Sequence, residues 1–274
     1  MQKDAVQVVQ RCDKCQLFRN VQHVPAEHLT NISSPLPFST WGIDIFGPLP
    51  QGKKQVKFLV VAIDYFTKWV EVESSAIITE AKIQCFIEKK SVCWFWIPRV
   101  IIFDNERQFD SNKFRNFCRE LGIKNHYSSP GHPQANGQTK VINQILLKLI
   151  KVRLEGAKGA WPEELPRVLW TYRTTARTLT GETLFKLIFG IEAVIPVEVG
   201  MSSLRQKHYD DHGNNKELQL ALDCLSKVKG NAAQKMALYH QRMTNYHDQR
   251  VKLRRFNPGD MVLQKVSHAT KDPA

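Results

Sequence analysis

The feature that most constrains this chain is a change of hydrophobic period along it. Three short apolar runs, WGIDIFG (41–47), KFLVVAIDYF (57–66) and WVEVES (69–74), are bounded by breakers, and the last alternates apolar and polar residues. Such runs read as strands, and a period of two marks a half-exposed one. From 79 to 96 the spacing turns helical, with Ile83, Phe86, Ile87 and Val92 on one side and Pro98 ending the pattern. RVIIFD (99–104) then reads as a buried strand ending on an acid. Asp110 and Ser111 can cap a short helix carrying Phe114, Phe117 and Leu121, and IKNHYS follows Gly122 as a further strand. Strands alternating with helices in this order imply a mixed α/β sheet.

A third helix is expected from Asn136, where Val141, Ile142, Ile145, Leu149 and Ile150 recur at three- and four-residue intervals. Lys140, Gln144, Lys148 and Lys151 fall on a polar face, either a solvated stripe or a surface that meets phosphate. Residues 25–35 are rich in Pro and Ser and read as a linker. Beyond a polar stretch at 200–215, apolar residues from Leu218 to Tyr246 keep helical spacing, interrupted once at Gly230 and Asn231. Trp94 and Trp96, at the end of the first helix, are expected to pack inside.

The chain carries 39 Lys and Arg against 26 Asp and Glu, a formal charge of +13, and the excess is spread along it. A polyanionic partner, nucleic acid above all, is the expectation. No segment of signal-peptide type is recognisable, and the longest aliphatic run, FLVVAI (58–63), is too short to span a bilayer. A soluble intracellular protein with reduced thiols among its six cysteines is expected.

Asp44 lies in the first strand and Asp104 at the end of the fourth. Side chains at strand ends of an α/β sheet line a crevice. Two aspartates there repel each other unless a cation separates them, and oxygen ligands suit Mg²⁺ or Mn²⁺. Separately, each could be an ordinary cap or strand-end acid.

The series WGIDIFGPLP, FLVVAIDYFTKWVEVE, IPRVIIFDNERQFDS, LGIKNHYSSPGHPQANGQ and TYRTTARTLTGETLFKLIFGIEAVIPVEVG resembles the integrase of gypsy-type LTR retrotransposons of the plant lineage, truncated at both ends. The resemblance implies an RNase H-like core, a mixed five-stranded sheet with flanking helices, over 36–197. It also implies a remnant of a zinc module over 1–24, a helical connecting region over 198–250 and the start of an SH3-like barrel over 251–274. The implied activity is DNA 3′-end processing and strand transfer, on element ends and target DNA, by a nuclear homo-multimer with no small-molecule substrate.

Family chemistry uses two aspartates and a glutamate in a D, D-35-E pattern to hold two Mg²⁺ or Mn²⁺ ions. Asp44 and Asp104 match the first two, and residues 105 to 139, thirty-five in all, separate Asp104 from the third position. That position is Lys140. A unit charge ~6 Å from a divalent ion at an effective dielectric of ~20 is worth roughly 5 kcal/mol, so exchanging attraction for repulsion costs on the order of 10 kcal/mol. Deprotonating the lysine to avoid this costs about 4 to 5 kcal/mol, and the amine is still a poor Mg²⁺ ligand. The Lys140 side chain is therefore expected to swing away, metal binding to weaken and catalysis to be lost. A non-enzymatic DNA-binding protein is the alternative.

Phe103 and Glu106 also depart from the family pattern, where serine and glycine are usual, and Glu106 is poorly placed to substitute for the missing ligand. Cys12 and Cys15 resemble half of the family's His-His-Cys-Cys zinc site, but His23 and His28 follow them instead of preceding, so zinc is not expected to bind. Asn136, Gln138, Lys140, Lys148 and Lys151 are the expected DNA-facing residues. Asp64 has no evident catalytic part.

Overall fold

A computed structural model describes residues 12, 34–104, 109, 111–128, 137–154, 158–194, 210–249 and 251. Contacts divide the chain into Leu29–Thr244 and a second unit of Met1–His28 with Asn245–Ala274. Within the first, β1 (Thr40–Phe46), β2 (Phe58–Asp64), β3 (Val70–Ser75), β4 (Val100–Phe103) and β5 (Lys124–Tyr127) form one sheet in the order β3-β2-β1-β4-β5. The β1–β2 and β2–β3 pairs are antiparallel, and β1–β4 and β4–β5 parallel. The mixed sheet expected from the change of period is thus present, with β1 at its centre.

The flanking helices are α1 (Glu80–Ile87), α2 (Asn112–Glu120), α3 (Gly137–Leu154), α4 (Trp161–Thr174), α5 (Leu184–Phe189) and α6 (Asp211–Asp248). Thr79, Ser111 and Thr183 cap α1, α2 and α5 by accepting from the amides of Lys82, Phe114 and Lys186. Gly190 ends α5 with φ +81°, and a Cβ there would also come 3.2 Å from the Ala221 carbonyl of α6. The core joins Trp41, Ile43, Val61 and Ile63 of the sheet to Phe86 of α1, Phe114 of α2, Ile142 of α3 and Val168 of α4.

Three expectations need correction. The helical spacing over 79–96 yields an α-helix only to Ile87; a π-type turn over Glu88–Val92 follows, with the Cys93 amide donating to the Glu88 carbonyl at 2.9 Å. The wider turn rotates the following residues off the helix face. Phe95 therefore packs, half-buried, against the core, stacked on Phe38 at 4.0 Å, while Trp94 and Trp96 are 75% and 68% exposed. On α3 the buried residues are Thr139, Ile142, Asn143, Leu146 and Ile150, whereas Val141 and Ile145 are exposed. The apolar spacing from Leu218 to Tyr246 fits one long connecting helix or a helix pair, and the structure has the single helix: α6 runs unbroken through Gly230.

Asp64 is wholly buried and structural: it accepts from the amides of Phe38 (2.8 Å) and Thr67 (2.7 Å) and from the Thr67 hydroxyl (2.6 Å), tying the β2–β3 turn to the chain before β1. Phe103 is equally buried, its ring 4.5 Å from Phe109. The expected zinc remnant with Cys15, the barrel beyond 251, and Glu106, Asp110 and Asn136 lie outside the described residues. Among the described residues no helix is long and apolar enough to cross a membrane.

Candidate active site

Strand register brings the two aspartates together. In the parallel β1–β4 pair Ile43 stands opposite Phe103, so the next residues, Asp44 and Asp104, emerge side by side from adjacent strands. The β4–β5 pair sets Phe103 opposite Tyr127, which places Ser128 beside Asp104 in the same way. A third element must cross the strand ends for these groups to form a site. Gly42 lets α3 do so, because a Cβ at that position would lie 2.5 Å from Thr139 Oγ1 on α3 and 2.5 Å from Tyr65 Cε1. Lys140 and Asn143, three residues apart on α3, then reach the aspartates together.

Each aspartate oxygen faces a donor. Lys140 Nζ lies 3.0 Å from Asp104 Oδ2, and the Ser128 hydroxyl donates to Asp104 Oδ1 at 2.6 Å. Asn143 Nδ2 donates to Asp44 Oδ2 at 2.8 Å, and the Ile45 amide to Asp44 Oδ1 at 3.0 Å. Asp44 is 8% exposed, and burial pushes its carboxyl up to about 6, helped by the charge of Asp104. The Ile45 amide, the Lys140 charge and the Asn143 amide pull the other way.

Lys140 therefore does not swing away. The expected repulsion presupposed divalent ions between the carboxylates, whereas the carboxylates themselves attract an ammonium group, and the flexible lysine stem reaches them. A pair of divalent ions does not fit this donor set. One of the three groups is itself a cation, and it lies 3.0 Å from a carboxylate oxygen of Asp104. Among the described residues no three His, Cys, Asp or Glu side chains converge on one point.

Of the remaining expected DNA-facing residues, Gln138 is turned inward and accepts from Lys68 Nζ, while Lys148 and Lys151 are exposed on α3. Cys12 is half-buried. Sequence reasoning missed Asn143 and Ser128. The signals were present: Asn143 is polar at a buried position of an amphipathic helix one turn from Lys140, and Ser128 ends the strand beside the one that ends at Asp104.

The sheet and its flanking helices define an RNase H-like fold. Residues 34–133 match the integrase core domain family. The chain is similar to the Transposon Tf2-3 and Tf2-4 polyproteins of Schizosaccharomyces pombe, at 24% identity over 269 residues and 97% of its own length. It spans 19% of the length of those relatives. Among solved structures it is similar to the simian T-cell lymphotropic virus intasome in complex with PP2A regulatory subunit B56 gamma (TM-score 0.53, 21% identity, 68% of this chain and 66% of that one). The HTLV-2 integrase catalytic core domain in complex with magnesium, in a trimeric form, aligns at TM-score 0.46 and 24% identity, covering 56% of this chain and 97% of that one.

Proposed function

We propose that this chain is the integrase segment of an LTR retrotransposon polyprotein, that it binds DNA through its basic surface, and that it does not carry out metal-dependent DNA joining. The integrase core match and the similarity to the Tf2 polyproteins across 97% of the chain support the descent. The gypsy type and plant lineage rest on the motif series from WGIDIFGPLP to IPVEVG. A homo-multimer acting on element ends and target DNA in the nucleus is the corresponding context. So is the division into a zinc-module remnant, linker, core, helical connector and partial barrel.

The observation that carries the reading is Lys140 Nζ at 3.0 Å from Asp104 Oδ2. Strand transfer by carboxylate-held ions depends on one metal to activate the attacking oxygen and one to stabilise the leaving oxygen. With an ammonium group on Asp104, the Mg²⁺ or Mn²⁺ expected of the family has no compatible site here. What the residues can do is offset the Asp104 charge with Lys140 and leave the basic surface for the phosphate backbone.

The test is a strand-transfer assay on oligonucleotides bearing processed element ends, with Mg²⁺ or Mn²⁺, comparing the unaltered chain with Lys140→Glu. No joined product is expected from the unaltered chain, and metal-dependent joining from the variant. Thermal unfolding supplies a second readout: Mn²⁺ should raise the melting temperature of Lys140→Glu and leave that of the unaltered chain in place. Efficient joining by the unaltered chain would refute the reading. Failure of both chains to join, with DNA still bound, would leave a DNA-binding protein and direct attention to Phe103 and Glu106.

A further inference from the structure

A cavity of about 590 Å³ lies away from the aspartates, between α3, the β2–β3 turn, the end of α4, α5 and α6, all within Leu29–Thr244. Its volume is that of a small-molecule pocket, and its walls are mainly apolar, with Ile142, Leu184, Leu187 and Met236 among them. Val141 and Ile145 of α3 stand at the wall and are 56% and 37% exposed, so the apolar lining continues to the surface. The amphipathic pattern of α3 put these two on the buried face. They face this cavity instead of the sheet.

Among the described residues, Lys68 and Arg177 line the cavity together with His240, and no Asp or Glu does. Lys68 Nζ donates to the Tyr65 carbonyl at 2.8 Å and to Gln138 Oε1, which are neutral acceptors. Arg177 lies over the Tyr172 ring at 3.9 Å and donates from Nη2 to the Tyr172 carbonyl at 3.0 Å. A carboxylate is the group whose charge and geometry match a guanidinium beside an ammonium. The electrostatics agree: burial holds the Lys68 ammonium down at about 8, although Asp64 favours its charge, and His240 is lowered by burial and by the charge of Lys68.

We propose that this cavity binds a small amphipathic anion, an apolar body with a single carboxylate, whose charge is received by Arg177 and Lys68 while its body lies against Ile142, Leu184, Leu187 and Met236. Apolar lining selects against nucleotides and free phosphate, whose polar surface would lose hydration on entry. This site is independent of the DNA-binding reading.

The test uses 6-phenylhexanoate and its neutral amide, titrated calorimetrically into the full chain. The carboxylate is expected to bind and the amide to bind at least about tenfold more weakly, the amount one charged hydrogen bond contributes. Arg177→Gln should bring the carboxylate down by the same factor and leave the amide unchanged. Val141→Trp, at an exposed wall position, should block both probes without unfolding the chain, as checked by circular dichroism. Equal affinity for acid and amide, undiminished binding by Val141→Trp, or no heat with either probe would overturn the proposal.

Discussion

Lys140 matters for what it occupies more than for what it stabilises. Its side chain is 45% exposed and that of Asp104 30%, so the pair is solvent-screened and contributes at most about 1 kcal/mol to stability. The position of the lysine in the D, D-35-E frame was legible by counting residues. Its direction was not, because that depends on Asp44, Asp104 and Ser128 meeting through strand register. Lys68 shows the converse, a cation whose environment is decided by burial. Its folded-state value near 8 lies below its ordinary 10.5, so between these values the unfolded chain holds more protons than the native one. The stability contribution from this group is full above 10.5 and is lost as pH falls through 8. Replacing the ammonium removes that dependence. The difference in unfolding free energy between Lys68→Met and the unaltered chain should therefore fall by about 2 kcal/mol from pH 7 to pH 10, measured by urea denaturation. A flat or rising difference would contradict the burial of Lys68.

At the scale of elements, β1 and α3 determine the site, and Gly42 is where they meet. Gly42→Ala places a methyl group 2.5 Å from Thr139 Oγ1 and 2.5 Å from Tyr65 Cε1, closer than side chains pack. Such overpacking costs about 1–3 kcal/mol, and the denaturation midpoint should drop accordingly. An unchanged midpoint would mean that α3 can move off the sheet without penalty. The strands were legible because their short apolar runs end at breakers, and the short α2 was legible from its Ser111 cap. The end of α1 was not, since a π-type turn keeps helical composition while changing the number of residues per turn. The face of α3 was legible only in part: its apolar residues serve both the sheet and a cavity, and period alone does not distinguish two apolar neighbours.

For the whole molecule, the charge of +13 predicts DNA binding dominated by phosphate contacts, with affinity falling steeply as salt rises. Lys148→Gln and Lys151→Gln, both on the exposed face of α3, should each lower the slope of log K against log salt by about 1 if they meet phosphate. Slopes equal to that of the unaltered chain would place the contact surface elsewhere. Binding that ignores salt altogether would remove the electrostatic basis of the reading. Sequence by itself determined the α/β class, the order of the five strands with α1, α2 and α3, the basic balance and the presence of a lysine at the third position of the acidic frame, because periodicity, charge and spacing are properties of the chain alone. Only the tertiary structure decided that Lys140 turns onto Asp104, that Asn143 and Ser128 complete the hydrogen bonding of the two aspartates, and that Arg177 and Lys68 share an apolar cavity that no acid lines among the described residues. These depend on which distant residues strand register and helix crossing bring within 3 to 4 Å, at separations where charge and hydrogen bonding act.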